Sequence, residues 1–247
     1  MPRNPMFSHP ATHLPPLDQR LSMQAWRTHP LSRRKAPARG LFASTQSSDN
    51  PSFKLTEHVG TDRSTVETFI SQRFAESFGC HIEAFMPRLF SVRNREGEIC
   101  GAFGLRSANR NLFLEQYLDA PIEKTIAASA GRKVERRAIV EVGHFSGAFP
   151  GAVRAMIGLL TEHLQRDGFE WVVFTGTAGL RNAFCRLGLC PIDVQAATAD
   201  RLPEEDRSTW GSYYDHAPRV LIGNIQEGYR AMLTLSAPDN VEAEEAA

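Results

Sequence analysis

Residues 136–168, RRAIVEVGHFSGAFPGAVRAMIGLLTEHLQRDG, contain the pattern that decides the fold. The first ten residues are mostly apolar and lead into the glycine-containing turn SGAFPG, which predicts a buried strand followed by a turn. Pro150 suits the first turn of a helix, and Gly168 ends that helix. The residues between them predict an amphipathic helix whose buried stripe is Val153, Met156, Ile157, Leu160 and Leu164.

Elements on both sides extend this pattern. Strands are predicted at 52–59, 88–94, 98–106, 136–145, 169–177 and 218–225, and helices between 62 and 79, 119 and 131, 151 and 168, and 180 and 188. Gly101 and Gly104 predict a bulge or a close backbone approach within the hairpin. Strands that are paired first by a hairpin and then alternate with helices predict an α/β fold, with a mixed central sheet and helices on both faces.

The two ends of the chain differ from this central part. Residues 1–50 are rich in Pro, Ser, Arg and His without apolar periodicity, so they are predicted to be a disordered basic extension. A targeting role for this extension is the alternative. Residues 51–235 are predicted to form one folded domain, and residues 236–247 an acidic disordered tail.

Composition argues against several classes of function. Residues 1–40 carry seven Lys or Arg against one acid, which leaves a net charge of −6 on the rest of a chain that is neutral overall, so nucleic-acid binding is not expected. No apolar run approaches the length of a membrane span. The four cysteines lack CxxC spacing and nearby His ligands. We therefore predict reduced thiols, no metal site and a cytoplasmic location.

Several motifs resemble the thermostable hemolysin family. They are FGLRSA at 103–108, LFLEQYLD at 112–119, EVGHF at 141–145, WVVFTGTAGLRNAFCRLGLCPIDV at 171–194 and WGSYYDHAPRVLIGNI at 210–225. That family is similar to the acyl-homoserine lactone synthases and the GNAT acyltransferase superfamily. The resemblance implies a GNAT-like fold in which an acyl thioester lies between two splayed central strands. It departs from the family pattern at residues 144–146, where many relatives read Asn-Leu-Ala and this chain reads His-Phe-Ser.

Two glutamates interrupt apolar runs and are candidates for acyl-transfer chemistry. Transfer of an acyl group to an amine needs a base or a water relay for the ammonium proton. Glu141 stands in an apolar strand, where a carboxylate is costly to bury unless it is paired or functional. It is interpreted either as a catalytic base and amine binder, or as the partner of Arg106 or Arg137. Glu115 either binds the positive group of the acceptor beside Glu141, or lies on the polar face of a short helix.

Two turns are predicted to bind the acyl donor. The turn before the long helix presents backbone N–H groups at a helix N-terminus, where a pyrophosphate or phosphopantetheine phosphate is stabilised. The polar residues of the second turn either contact pantetheine, a phosphate or a carrier protein, or cap the following helix. The predicted donor-binding residues are Phe145, Ser146, Gly147, Gly151 and Arg154 in the first turn and Thr175, Thr177, Arg181 and Asn182 in the second.

The segment WGSYYDH, residues 210–216, carries two further catalytic candidates. Tyr213 or Tyr214 is predicted to protonate the departing thiolate, as the resemblance to GNAT enzymes implies. The alternative is that these aromatic rings only cover the core. His144 is either an acid or base near neutral pH or a packed, hydrogen-bonded residue. A serine hydrolase is disfavoured because no GxSxG motif occurs.

Together, these observations predict an N-acyltransferase-like enzyme that moves an acyl group from acyl-CoA or an acyl carrier protein to a small amine. The acyl donor is a co-substrate, and no tightly bound cofactor is predicted. One alternative is a membrane-active hemolysin, which needs an exposed amphipathic hairpin or helix. Another is a non-catalytic binding module of the GNAT fold.

Overall fold

The structure, a computed structural model, describes residues 53–236 of the 247-residue chain. The predicted extension at residues 1–50 lies outside the described residues, as does the predicted tail beyond Ser236. The domain boundaries at residues 50 and 235 therefore stay predictions. Every strand and helix predicted between them occurs in the described part.

One seven-stranded sheet is flanked by helices. Its strands are β1 (Lys54–His58), β2 (Arg88–Arg93), β3 (Ile99–Ser107), β4 (Ile139–Gly147), β5 (Trp171–Gly176), β6 (Ile192–Ala196) and β7 (Arg219–Asn224). The helices are α1 (Arg63–Phe78), α2 (Ile122–Ala130), α3 (Pro150–Arg166), α4 (Ala178–Arg186), α5 (Glu204–Arg207) and α6 (Ile225–Ser236). Short 3-10 turns include Phe113–Tyr117 before α2 and Tyr213–His216 before β7.

The sheet is mixed, as predicted. Its strand order is β1-β2-β3-β4-β5-β7-β6, and the only parallel neighbours among the described strands are β4 and β5. Parallel neighbours need a crossover, which α3 provides. The predicted α/β class with a mixed central sheet is therefore confirmed.

Side chains that alternate along the central strands build a core on each face of the sheet. On β4, Ile139 packs with α2 and the 3-10 turn Phe113–Tyr117, whereas Val140 packs with α3. Helix α1 covers the same face as α2, and α4 and α6 pack beside α3. We call these two sides the α1 face and the α3 face. Helices therefore lie on both faces, as predicted.

Besides the four-residue helix α5, two elements were not predicted from the sequence. Strand β6 lies at the edge of the sheet, and Asp193 is exposed there, so its sequence lacks a buried apolar stripe. Helix α6 follows β7 without a connecting loop, and the end of the apolar strand hides its start. Both elements add to the α/β layers, and the predicted strands are found where they were expected.

The remaining expectations concern the glycines, cysteines and membrane spans. The close approach predicted at Gly104 is present, because a Cβ there would lie 2.3 Å from Cβ of Met86. All four cysteines are free, two of them buried and two exposed. No helix among residues 53–236 is both long enough and apolar enough to cross a bilayer.

Candidate active site

A cleft opens where the two parallel strands separate. β4 and β5 pair from Ile139 with Trp171 to Val142 with Phe174. Beyond these residues β4 continues against β3 and β5 continues against β7. The central strands are therefore splayed at their C-terminal ends, which is the arrangement that the family resemblance implies.

A bulge at His144 marks the point of separation. Gly104 of β3 pairs with Gly143, and Ala102 pairs with Ser146, so β4 has one residue more than β3 between these pairs. His144 has φ +54°, in the left-handed region that residues other than glycine rarely adopt. Bulges bend a strand and are frequent beside active sites, where they redirect a side chain.

Glu141 is buried on β4 just before the bulge, with 3% of the residue exposed. Its carboxylate accepts hydrogen bonds from the backbone N–H groups of Phe113 at 3.1 Å and Leu114 at 2.9 Å. Burial raises the pKa of this carboxyl, and the two N–H groups oppose that shift. A carboxylate with a raised pKa is suited to accept a proton near neutral pH.

Arg106 is the cross-strand neighbour of Glu141 on β3. Its Nη1 lies 3.9 Å from Oε2 of Glu141, which is too long for a hydrogen bond. Arg137, the other partner considered for Glu141, pairs at the surface with Glu135 at 2.7 Å. Within the part of the chain that the structure describes, no tight ion pair therefore neutralises Glu141.

Glu115, in the 3-10 turn, has partners on both carboxylate oxygens. Arg136 donates to them at 2.6 and 2.9 Å, and the backbone N–H groups of Leu112 and Ile122 also donate. The hydrogen bonds from Arg136 hold the pKa of Glu115 well below its usual range, at about 2. These contacts tie the turn to α2 and favour a structural role for Glu115 over amine binding.

His144 is packed on the α1 face between aromatic rings. Its ring centroid lies 6.2 Å from that of Phe74 and 5.5 Å from that of Phe85, and the N–H of Met86 lies 3.5 Å from Nδ1. Burial and then the charge of Arg106 lower the pKa of His144 to about 4. His144 is thus neutral at neutral pH, which favours the packed alternative.

The two predicted tyrosines lie on the α1 face, each with a hydroxyl partner. Tyr213 is hydrogen-bonded to the side chain of Thr175, on β5 just beyond the point of separation. The hydroxyl of Tyr214 lies 2.6 Å from that of Tyr117 in the 3-10 turn. Burial raises the pKa of Tyr213 and of Tyr214 to about 12, so both keep their protons at neutral pH.

Tyr117 was not identified from the sequence, where it lies in the apolar run LFLEQYL. Its side chain is almost fully buried, and burial raises the pKa of its hydroxyl. The signal that could have identified it is the hydroxyl itself, because a buried tyrosine normally needs a hydrogen-bond partner.

The N-terminus of α3 follows the cleft strand directly. Pro150 occupies the first turn, and Gly151 and Arg154 are exposed there. The first N–H groups of a helix have no partner within the helix, and its dipole attracts anions. Of the predicted phosphate-binding residues, Gly151 and Arg154 are therefore open to a ligand at this end.

The three preceding donor-site residues are the last three residues of β4, just before that helix. Phe145 packs in the core of the α3 face, and the buried hydroxyl of Ser146 donates to the carbonyl of His144 at 3.0 Å. A Cβ on Gly147 would lie 2.5 Å from a methyl group of Val153, so glycine is needed where α3 starts against β4. These contacts shape the turn; Phe145 and Ser146 present little surface to a ligand.

The second predicted donor turn follows β5 and begins α4. Thr177 occupies the N-cap position but its side chain makes no capping hydrogen bond. Arg181 donates from Nη1 to two backbone carbonyls, at 3.2 and 3.1 Å, and Asn182 is exposed. Thr175 is hydrogen-bonded to Tyr213 beside the cleft, whereas Asn182 is on the surface of α4.

The arrangement as a whole combines a buried carboxylate, neutral hydroxyl donors and an open helix N-terminus around the splayed strands. No three His, Cys, Asp or Glu side chains among residues 53–236 are placed to hold a metal ion. These groups are suited to proton transfer and to binding an anionic donor, which are the needs of acyl transfer from a thioester.

The chain matches one protein family and is similar in fold to solved structures. The family model described as thermostable hemolysin matches residues 56–229. No curated protein matches the chain. The solved structure of TofI in its apo form is 16% identical and covers 72% of this chain and 95% of TofI, with a TM-score of 0.50.

A second solved structure has a similar fold. FeeM, an N-acyl amino acid synthase from uncultured soil microbes, is 12% identical and covers 77% of this chain and 100% of FeeM, with a TM-score of 0.52. At such low identity the likeness to TofI and FeeM concerns the fold. Almost the full length of both proteins is matched by the described α/β layers.

Proposed function

This chain belongs to the thermostable hemolysin family, and we propose that it is an N-acyltransferase. It transfers an acyl group from the thioester of acyl-CoA or an acyl carrier protein to a small amine. The single observation that carries this proposal is the cleft between β4 and β5, with buried Glu141 before it and the N-terminus of α3 after it.

The amine must lose a proton before or during its attack on the thioester. Amino groups are mostly protonated at neutral pH. Glu141 is suited to hold the ammonium and, directly or through water, to take its proton, because burial raises the pKa of the carboxyl. Its place on the strand that borders the cleft supports this role.

The thiolate that leaves must gain a proton. Tyr213 and Tyr214 both retain theirs at neutral pH, and Tyr213 is linked through Thr175 to the edge of the cleft. In the complete reaction the C–N bond forms and the C–S bond breaks. The ammonium nitrogen loses two protons, of which one is balanced by protonation of the departing thiolate and the other is released to solvent. The sequence predicted both tyrosines as candidates, and either is compatible with this step.

The donor's phosphates are placed at the start of α3 in this proposal. The unpaired N–H groups of the first helical turn, together with exposed Arg154, provide the positive potential that a pyrophosphate needs. FeeM, whose name describes acyl transfer to an amino acid, provides a precedent for this reaction class on a similar fold. A cytoplasmic location remains part of the proposal because acyl-CoA and acyl carrier proteins are available there.

The direct test is an acyl-transfer assay on the purified full chain. Acyl-CoA and acyl carrier protein donors of increasing acyl length are incubated with a panel of small amines, and amide product and free thiol are measured together. Amide formed in equal amount to thiol is expected. Thioester binding without amide would indicate a non-catalytic module, and dye release from liposomes without donor would indicate a lytic protein.

A further inference from the structure

We propose that Arg106 binds the carboxylate of the acceptor, so that the amine acylated by this chain carries a carboxylate close to its amino group, as an α-amino acid does. This inference rests on the acyl-transfer function proposed above and names its acceptor class.

Arg106 has unused hydrogen-bond donors. Its guanidinium is 29% exposed and donates no hydrogen bond to any acceptor among residues 53–236; its closest carboxylate oxygen, on Glu141, is 3.9 Å away. Arg136 is also 29% exposed, yet it donates to two glutamates and two backbone carbonyls. A guanidinium presents its N–H groups as a rigid planar fork that matches a carboxylate. Arg106 is therefore free to bind an anion in this way.

The position of Arg106 indicates an anion other than the donor's phosphates. The preceding residue, Leu105, packs in the core of the α3 face, and side chains of a strand alternate between faces. Arg106 therefore lies on the α1 face, whereas the proposed phosphate site is at the start of α3. The anion near Arg106 then belongs to the second substrate.

Glu141 has lone pairs left for the acceptor's ammonium. Each of its oxygens accepts one backbone N–H, from Phe113 or Leu114, and a carboxylate offers about four lone-pair sites in all. An ammonium beside Glu141 and a carboxylate on Arg106 form two adjacent ion pairs. Nη1 of Arg106 and Oε2 of Glu141 are 3.9 Å apart. This distance matches a ligand whose ammonium and carboxylate groups are separated by only one or two carbon atoms.

Arg106 supplies the positive charge in this part of the site. His144, on the same face, contributes none at neutral pH, because burial and Arg106 lower its pKa to about 4. The other titratable groups near Glu141 are Glu115, already paired with Arg136, and Tyr117, which keeps its proton. Among residues 53–236, the cation that a carboxylate meets in this part of the site is therefore Arg106.

The test compares matched acceptors with and without a carboxylate: leucine with isoamylamine, and phenylalanine with phenethylamine. Wild type is expected to prefer the amino acids. Arg106→Gln is expected to lower kcat/KM for amino acids roughly 10- to 100-fold, as expected for a lost charge-assisted pair. The rates with the amines are expected to change far less, because for them only the effect of Arg106 on the pKa of Glu141 is lost. Arg106→Lys, which keeps the charge but not the fork, is expected to fall between them. Arg110→Gln, at an exposed position four residues further along the chain, is the control for a lost surface charge.

A calorimetric titration of the same acceptors without donor measures carboxylate binding independently of catalysis. Tighter binding of amino acids than amines by wild type, lost in folded Arg106→Gln, supports the proposal even if no amide forms, in which case only the acyl-transfer function fails. Equal affinity of wild type for both acceptor types overturns it. An equal loss for amino acids and amines in Arg106→Gln also overturns it, because a general effect on Glu141 or on packing is then sufficient.

Discussion

Two pairs of a glutamate and an arginine lie on the α1 face, and their physical character is opposite. Glu115 and Arg136 form two hydrogen bonds of 2.6 and 2.9 Å, and the pKa of Glu115 is held at about 2. Glu141 and Arg106 stay 3.9 Å apart, and burial raises the pKa of Glu141. The first pair is saturated with partners, whereas the second retains unused donors and lone pairs.

The comparison separates structural from functional acids that give the same sequence signal. Both glutamates interrupt an apolar run, and both hold the 3-10 turn Phe113–Tyr117 through backbone N–H groups. Only Glu115 also has a cation within hydrogen-bond distance. A glutamate whose carboxylate lone pairs all accept hydrogen bonds from the protein stabilises the fold. A buried glutamate that keeps unused lone pairs can change its protonation state.

The largest effect is expected for Glu141→Gln. Loss of the base should lower the acyl-transfer rate by about 10²- to 10⁴-fold. The NH2 group of the introduced glutamine also faces one of the two backbone N–H groups that donate to the native carboxylate, so the free energy of unfolding should fall by about 1–3 kcal/mol. Transfer rates are therefore measured per folded molecule, at a temperature well below the melting transition.

The matched control for that variant is Glu115→Gln. It removes the same charge from the other acid that holds the 3-10 turn, but the affected partner is Arg136. We expect lower stability and a transfer rate per folded molecule close to wild type. If Glu115→Gln lost as much activity as Glu141→Gln, the contrast between the two acids would be wrong.

The next largest effect is expected for Arg136→Met, which breaks the saturated pair. Glu115 and Glu123 lose their shared cation, and the carbonyls of Ala108 and Arg110 lose a donor. Because the ion pair is only partly buried, we expect a loss of about 3 kcal/mol, the lower end of the cost of breaking a buried pair. Urea unfolding measures this loss. A change below about 1 kcal/mol, typical of surface pairs, would contradict a central structural role.

The two acids should also differ in the sign of their pH dependence. Glu115 has a folded pKa of about 2 against an ordinary value of 4.5, so it contributes stability above pH 4.5 that is lost as pH falls towards 2. Glu141 has a raised folded pKa, so the folded state gains stability as pH falls from that pKa towards 4.5. Urea unfolding across this range should show a shallower acid decline for Glu115→Gln. For Glu141→Gln, the gain above pH 4.5 should be missing.

Much of this site could be predicted from the sequence because its frame is local. The apolar strand, the turn SGAFPG and the stripe of α3 have clear periods, and Glu141 stands out within that strand. The structure places the strand, turn and helix as predicted. Edge strand β6 was missed because an edge position does not impose an apolar face, and exposed Asp193 breaks the alternation.

The difference between the two acids could not be predicted, because it depends on contacts between distant residues. Arg136 is 21 positions from Glu115 along the chain, and spacing alone does not distinguish it from Arg106 as a partner. The bulge at His144 depends on how β4 aligns with β3. The sequence therefore indicates which acids to consider, and the tertiary contacts decide which one is free to act.

The smallest effect is expected at Tyr117, the residue at the end of the turn that both acids hold. Tyr117→Phe removes the hydroxyl 2.6 Å from that of Tyr214, which should lower the free energy of unfolding by about 1 kcal/mol. The hydrogen bond between the two hydroxyls also opposes the burial that raises the pKa of Tyr214, so without it Tyr214 becomes a weaker acid. If Tyr214 protonates the thiolate, kcat with acyl-CoA should fall several-fold, whereas thioesters of an acidic thiophenol, which need no proton, should react as before.

Tyr229→Phe, on α6 away from the cleft, is the control. An equal loss with both donor types would assign Tyr117 to packing alone, and the turn would then serve the reaction only through its backbone contacts with Glu141.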